Sequence, residues 1–199
     1  MVFTKDKGDG RSEIWLAFLD HRSSPRLVTV AGDEGFFGAD GDLIFRSLGE
    51  KVNRLTRIKK DGSGRRQVSK SPILDVFGVS PDGSWIIASP PQVDPDAVPD
   101  TLAMPADGGV PLKICAGVCR LKWSPDERFL YVTRSAGTLV IPIPPGRQLP
   151  EFPFTGIGNA KLLGVQEIAR SQVSAGSDPS VYAYTETRVQ HNLFRIPLH

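Results

Sequence analysis

One short phrase recurs along the chain and constrains its fold more than any other feature. Ser80-Pro81-Asp82-Gly83 and Ser124-Pro125-Asp126-Glu127 each lie between two short apolar segments. Ala39-Asp40-Gly41-Asp42 and Gly176-Ser177-Asp178-Pro179 are weaker copies. The aspartates at positions 40, 82, 126 and 178 lie 42, 44 and 52 residues apart. Because a regular period of this length is typical of repeat architectures, the chain is predicted to consist of repeated units.

The repeated phrase is predicted to form the tip of a β-hairpin. Proline presets the first corner of a tight turn, aspartate bonds its own backbone, and glycine accepts the left-handed corner that follows. The flanks of the first phrase, residues 73–79 and 84–89, are short, nearly continuous in apolarity and rich in β-branched and aromatic residues. Such segments are typical of buried strands. In the second phrase Glu127 replaces the glycine, and a left-handed glutamate costs about 1 kcal/mol.

A second, more polar hairpin follows each apolar one, for example in residues 54–68 and 101–114. Each unit is therefore predicted to hold four strands within about 43 residues. Four-stranded sheets repeated around an axis are the blades of a β-propeller. The predicted fold class is all-β: an incomplete β-propeller of about four to five four-stranded antiparallel blades. It forms a single domain, with approximate units 1–32, 33–70, 71–115, 116–155 and 156–199.

The two ends of the chain do not complete a unit. Residues 2–4 resemble the second strand of a blade, and residues 192–197 resemble a third strand. Six blades at this period need about 260 residues, whereas the chain has 199. We therefore expect either a fragment of a longer protein, which is favoured, or an open arc that a partner closes. Since open strand edges carry unpaired backbone groups, self-association through them is a further expectation.

No residue is assigned a catalytic, cofactor-binding or metal-binding role, and no cofactor is expected. Phosphate-loop, kinase catalytic-loop and hydrolase nucleophile motifs are absent from the sequence. The three histidines show no metal-ligand spacing. Asp94, Asp96 and Asp100 supply three carboxylates, but their spacing matches no calcium loop and neighbouring prolines stiffen the segment, which favours a solvated loop. The chain by itself is expected not to be an enzyme.

Cys115 and Cys119 flank three small residues between two units. These two cysteines can form a disulfide in an oxidising compartment, but two small buried thiols are the favoured interpretation. Trp15, Trp85 and Trp123 are expected to lie in the core between blades rather than to form a platform for a ligand.

Positive charge concentrates on the polar hairpin of the second unit. Such a cluster can contact phosphates, but lysine and arginine on an outer hairpin commonly prevent edge-to-edge pairing, and this second interpretation is favoured. The net charge of +2 points to no class of partner, and no nucleic-acid partner is expected. The cluster consists of Arg54, Arg57, Lys59, Lys60, Arg65, Arg66 and Lys70.

Two segments carry a resemblance to a known family. VSPDGSWIIAS at 79–89 and WSPDERFLYVT at 123–133 resemble the repeats of TolB-like β-propellers, which are relatives of the WD-repeat class. The resemblance covers most of residues 33–135. It implies blades of the kind that the hairpins predict.

Three further segments are similar to the propeller tails of bacterial eukaryote-like serine/threonine kinases. They are MPADGG at 104–109, ICAGVCRLKWSPD at 114–126 and DPSVYAYTETRVQHNLFRIPL at 178–198. The resemblance implies a ligand-sensing or protein-binding domain that follows a kinase domain and a membrane span. This sequence contains neither part, so no kinase residue is carried over.

The leading hypothesis is a non-catalytic propeller segment of a larger signalling protein that binds a protein or small ligand at the blade rims. The alternative is the accessory propeller of a prolyl-oligopeptidase-like hydrolase whose catalytic domain is absent. No signal peptide, transmembrane segment or direct membrane insertion is predicted, because long apolar runs are missing. The location stays open: extracytoplasmic if the chain is the tail of a membrane kinase, otherwise cytoplasmic.

Overall fold

The alternation of apolar segments and turns produces a structure made of strands. The described part of the chain contains strands and turns but no helix, which confirms the predicted all-β class. The described part therefore contains no helix that could cross a membrane. The strands form five antiparallel sheets, numbered 1 to 5. The computed structural model describes residues 1–8, 11–20, 23–92, 94, 96, 98–150, 164–171, 173–176 and 178–186.

Sheets 1 to 3 follow one another along the chain, and within each sheet the strands are neighbours in sequence order. Sheet 1 has three strands, and sheets 2 and 3 have four each. The strands of sheet 1 are β1 (Val2–Asp6), β2 (Ser12–Leu16) and β3 (Arg26–Val30); those of sheet 2 are β4 (Gly32–Phe37), β5 (Leu43–Ser47), β6 (Arg54–Ile58) and β7 (Arg66–Pro72); those of sheet 3 are β8 (Asp75–Val79), β9 (Trp85–Ser89), β10 (Thr101–Pro105) and β11 (Leu112–Cys115).

Sheet 4 contains β12 (Arg120–Trp123), β13 (Phe129–Arg134), β14 (Gly137–Pro142) and β15 (Gln166–Ile168). Sheet 5 pairs β16 (Val173–Ala175) with β17 (Tyr182–Tyr184). The position of β15 lies beyond residue 155, where a constant period places the end of the fourth unit. The long segment between β14 and β15 lengthens this unit. Residues 192–197, predicted as a strand, lie outside the described residues.

The repeated phrase closes the turn between the first two strands of its sheet. Ser80 Oγ donates to Asp82 Oδ1 at 2.7 Å and accepts a hydrogen bond from Trp85 N at 2.9 Å. Around Ser124 the equivalent bonds measure 2.6 and 3.0 Å. The serine and the aspartate therefore hold the turn against the start of the second strand, so their recurrence has a local structural cause.

Glu127 occupies the left-handed position of its turn with a φ of 59°, as the sequence predicts, and Gly83 fills the equivalent position with a φ of 70°. We expect Glu127→Gly to leave the free energy of unfolding unchanged or to raise it by up to about 1 kcal/mol, because glycine adopts this conformation without steric cost. Chemical denaturation of both proteins measures the difference.

Gly83→Ala is the matched control. A Cβ atom added at Gly83 would lie 2.3 Å from the backbone N of Ala39, in the turn of the neighbouring sheet. Together with the left-handed backbone, this clash is expected to cost at least about 1–2 kcal/mol. A clear loss of stability in Glu127→Gly would show that Glu127 makes a specific bond that the turn needs.

Cys115 and Cys119 form a disulfide, so the favoured prediction of two free thiols is wrong. Their Cα atoms lie 6.5 Å apart, within the span of a disulfide. The bond ties the end of β11 to the residue that precedes β12, and both cysteines are buried. Spacing alone could not decide this pairing, because the distance depends on how residues 116–118 turn between the two sheets.

Replacing both Cys115 and Cys119 with serine is expected to lower the free energy of unfolding by about 2 kcal/mol, since a cross-link that closes a short loop restricts the unfolded chain. Urea denaturation with and without a thiol reductant measures the effect. The double variant is the control, because its transition should not respond to reductant. A wild-type transition that also ignores complete reduction would contradict the prediction.

The core consists of separate clusters between neighbouring sheets. Along β5, Ile44 packs towards sheet 3 while Leu43 and Phe45 pack towards sheet 1, since successive side chains of a strand point to opposite faces. The second strands of sheets 2, 3 and 4 are therefore buried on both faces, as predicted. The first strands of sheets 3 and 4 alternate between buried and more exposed residues, so the prediction of burial on both faces is wrong for them. Cluster 1 includes Ile14, Leu43, Phe45 and Ile58; cluster 2 includes Ile44, Leu55, Val76 and Ile86; cluster 3 includes Ile87, Ile114, Leu121 and Val132; cluster 4 includes Tyr131, Val140, Ile168 and Val173.

The three tryptophans divide into two groups. Trp85 and Trp123 are partly buried and pack against cluster 3, as expected. Trp15 packs against none of the four clusters that the described residues form, so the core prediction is wrong for it. Its indole N–H donates to Glu13 at 2.9 Å, and Lys5 Nζ lies 5.2 Å from the ring centroid. The neighbours of Trp15 along β2 point into the core, which leaves Trp15 on the other face.

Candidate functional site at the junction of sheets 2 and 3

Charged side chains meet where β4 and β8 begin. Asp33 and Glu34 are the second and third residues of β4, and Asp75 is the first residue of β8. Because β4 and β5 run antiparallel, the start of β4 lies beside the end of β5, and Asp33 pairs in register with Arg46. Local strand pairing and the packing of sheet 2 against sheet 3 therefore bring one guanidinium and three carboxylates together. We call these four residues the Arg46 cluster.

Arg46 is the centre of this cluster. Its Nε and Nη2 donate to the two oxygens of Asp33, both at 2.7 Å, which makes a bidentate pair within sheet 2. Its Nη1 donates to Asp75 Oδ1 at 3.0 Å and to the backbone oxygen of Leu74, which lies in the connection between the two sheets. The hydrogen bond with Asp33 contributes most to raising the pKa of Arg46. The side chain therefore stays charged and joins the two sheets.

Glu34 reaches the cluster through a β-bulge. The register of β4 with β5 shifts between Asp33 and Phe36, and Glu34 has a left-handed φ of 50°. Its Oε2 accepts a hydrogen bond from Val76 N of β8 at 2.5 Å, and its Oε1 lies 3.4 Å from Arg46 Nη2. The backbone conformation is costly for a residue with a side chain, and it turns the carboxylate towards sheet 3.

Burial raises the pKa of Glu34 to about 7, and the charges of Asp33 and Asp75 act in the same direction. The hydrogen bond from Val76 and the charge of Arg46 oppose this rise without cancelling it. Glu34 can therefore gain or lose a proton near neutral pH. A half-buried ionisable group with specific charged partners is the kind of group that concentrates at functional sites.

The Arg46 cluster is unsuited to holding a metal ion. A guanidinium occupies the space between its carboxylates, and among the described residues no group of three or more His, Cys, Asp or Glu is arranged for metal binding. The alternative calcium loop also finds no support in its described residues. Asp94 accepts a hydrogen bond from the backbone N of Asp96 at 3.0 Å, and Asp100 pairs with Lys113 at 2.8 Å.

Side chains of the predicted basic cluster contact acidic and aromatic neighbours. Arg57 pairs with Asp40 and Asp42 at 2.9 and 3.0 Å. Lys60 lies over the ring of Phe37, whereas Arg65 lies over that of Phe45. These side chains are therefore divided among different local partners.

The outer edge of sheet 2 is β7, which carries Arg66 and Lys70. Arg54 donates to the backbone oxygen of Lys70 at 2.7 Å, and Gln67 Nε2 donates to that of Ser69 at 2.5 Å. Side chains of sheet 2 thus bond the carbonyls of its own edge strand. That the polar hairpin discourages pairing with another strand stays a prediction.

Sequence reasoning did not single out the Arg46 cluster. A signal was present, because Asp75 interrupts the apolar segment 73–79 and Arg46 follows the apolar residues of β5. It was weak, since charged residues near strand ends usually face solvent. The expectation that no residue has a catalytic or cofactor-binding role stays a prediction.

The sequence matches no known family model, and no curated protein sequence matches it either. Solved structures give a clearer comparison. TolB from Acinetobacter baumannii superposes with a TM-score of 0.54 at 13% identity, over 70% of this chain and 36% of that one. The fold is that of a TolB-like β-propeller. A putative TolB from Agrobacterium tumefaciens has a TM-score of 0.54 at 13% identity, over 83% of this chain and 59% of its own.

The chain spans less than two thirds of the length of either TolB structure, and at this level of identity the likeness shows the fold alone. In this β-propeller, sheets 2, 3 and 4 are four-stranded blades, while sheets 1 and 5 show three and two strands among the described residues. The propeller is therefore incomplete over the described part. The Arg46 cluster lies between blades 2 and 3, at the rim where one blade connects to the next.

Proposed function

We propose that this chain is a non-catalytic propeller segment that binds a protein or small ligand at the blade rim, within a larger signalling protein. The observation that carries the proposal is the position of the Arg46 cluster at the connection between two blades. Its Glu34 and Asp75 side chains retain 28% and 35% of their surface exposed, so a ligand can reach them. Binding residues commonly lie on connections that a rigid scaffold positions.

Two further features support a place in a sensing protein. Residues 104–109 and 114–126 resemble the propeller tails of bacterial serine/threonine kinases, which follow a kinase domain and a membrane span. The Cys115–Cys119 disulfide favours an oxidising, extracytoplasmic compartment. In this proposal the rim reports a ligand to the rest of the protein. Self-association stays a prediction, and β1 is an edge strand of its sheet among the described strands.

Affinity capture with a matched variant tests the proposal. The immobilised chain is exposed to an extract of the source cells, and bound proteins and small molecules are identified by mass spectrometry. We expect Asp75→Ala to lose a component that the wild-type chain retains. Asp107→Ala, which removes an exposed carboxylate from the β10–β11 turn at a different edge of blade 3, should keep it.

Retention of every component by Asp75→Ala at wild-type levels would contradict binding at this rim. The non-catalytic part has its own test, in which the pure chain is assayed for phosphoryl transfer and peptide hydrolysis. Turnover that a single substitution in this chain abolishes would overturn that part.

A further inference from the structure

We propose that the Arg46 cluster is a proton-operated latch, which holds blades 2 and 3 together when Glu34 is protonated and loosens when Glu34 is ionised. The proposal goes beyond rim binding and does not depend on the identity of a ligand. It rests on the bulge in β4, on the hydrogen bonds that cross the blade junction, and on an imbalance of charge.

The bulge places one side chain of blade 2 against the backbone of blade 3. Glu34 accepts a hydrogen bond from Val76 N, and the left-handed φ of Glu34 directs the carboxylate there. Val76 itself is buried in cluster 2 between the two blades. A change in the charge of Glu34 therefore acts directly on the start of β8, where β8 packs against blade 2.

The charges that face Glu34 do not balance. Asp33 lies beside it on β4, Arg46 faces it from β5, and Asp75 faces it from β8. With all three carboxylates ionised the cluster has one positive and three negative charges, and a proton from solvent on Glu34 removes one of the negative charges.

The strands on the other side of β4 supply no compensating charge. β1 and β2 also pack against β4, but their charged residues are engaged elsewhere. Glu13 lies 3.4 Å from Lys7, and Lys5 lies over the ring of Trp15. Asp6 of β1 accepts a hydrogen bond from Gly8 N. The charge on Glu34 is therefore set by its burial, by the hydrogen bond from Val76 and by the other charges of the Arg46 cluster.

The direction of the pH effect follows from linkage. An acid whose pKa is higher in the closed state than in the open state favours closure at low pH. For Glu34 the ordinary pKa is 4.5 and the value in the closed junction is about 7. The stabilisation of the closed junction by protonated Glu34 is thus complete below a pH of 4.5 and is lost as the pH rises through about 7. Between pH 6 and pH 8 the ratio of closed to open junctions should fall about tenfold.

Nuclear magnetic resonance tests the latch in the intact chain. The side-chain ¹³C carboxyl resonance of Glu34 gives its titration midpoint, which we expect near pH 7. Hydrogen exchange of the Val76 amide, corrected for the intrinsic pH dependence of exchange, gives the protection of the junction. We expect this protection to fall about tenfold from pH 6 to pH 8.

Two variants distinguish the effect of Glu34 ionisation on Val76 protection from the effects of other titrating groups. Glu34→Gln keeps an acceptor for Val76 without a titratable charge, so its Val76 protection should not change over this range. Glu13→Gln removes a hydrogen-bonded carboxylate from β2 and should behave as wild type. The three histidines are present in all three proteins, so they do not distinguish one protein from another.

A Glu34 midpoint near its ordinary value would overturn the proposal, as would Val76 protection in the wild-type chain that does not depend on pH. Both measurements use the wild-type protein, so they decide the question even if Glu34→Gln fails to fold.

Discussion

Replacing Trp123 with alanine is expected to lower the free energy of unfolding by about 3–5 kcal/mol, as for the truncation of other core aromatics. The ring packs against cluster 3 between blades 3 and 4, and its indole N–H donates to the backbone oxygen of Gln148 at 2.8 Å. Alanine therefore removes apolar contacts and a hydrogen bond together. Urea denaturation followed by far-ultraviolet circular dichroism measures the loss without relying on tryptophan fluorescence.

Two control variants resolve the causes of that loss. Trp123→Phe keeps most of the buried ring but not the N–H donor, so it should cost only about 1–2 kcal/mol. Trp15→Ala removes a tryptophan that lies outside the four clusters, and it should cost less than Trp123→Ala. Equal losses for the two alanine variants would show that Trp123 does not have the packing role described above.

Arg46→Ala should be the most damaging change in the Arg46 cluster, with an expected loss of about 2–4 kcal/mol at pH 8. The substitution leaves three partly buried carboxylates without their guanidinium, and an uncompensated buried charge costs several kcal/mol. The loss should be smaller at pH 5, because Glu34 is then protonated in the folded protein, its pKa being about 7. Denaturation at the two pH values measures both effects.

Arg128→Ala is the control for removal of an arginine. Arg128 pairs with Asp126 at 2.5 Å, but its side chain is 68% exposed, and exposed ion pairs contribute little to stability. Its effect should therefore be small at both pH values. If Arg46→Ala also proves nearly neutral, or if its cost does not change with pH, the charge balance described for the cluster is wrong.

The local elements of the fold could be predicted because their causes are local. The turn at Ser80 to Gly83 depends on residues within the same hairpin, and the left-handed backbone of Glu127 follows from its place in the second copy of that turn. The place of β15 depends on a longer connection after β14, which a fixed period cannot reveal. The predicted bounds of the repeat units stay a prediction.

The sequence by itself determined the all-β class, the hairpin tips and the repeated four-strand unit. Short-range backbone preferences and the alternation of short apolar segments with turns specify these features. Only the tertiary structure decided that Cys115 and Cys119 are bonded and that Trp15 stays outside the core clusters. It alone also joined Arg46 to Asp75, 29 residues away, and Glu34 to Val76, 42 residues away. Such contacts depend on a strand bulge and on how two blades pack, and local sequence preferences do not encode the distance between two blades.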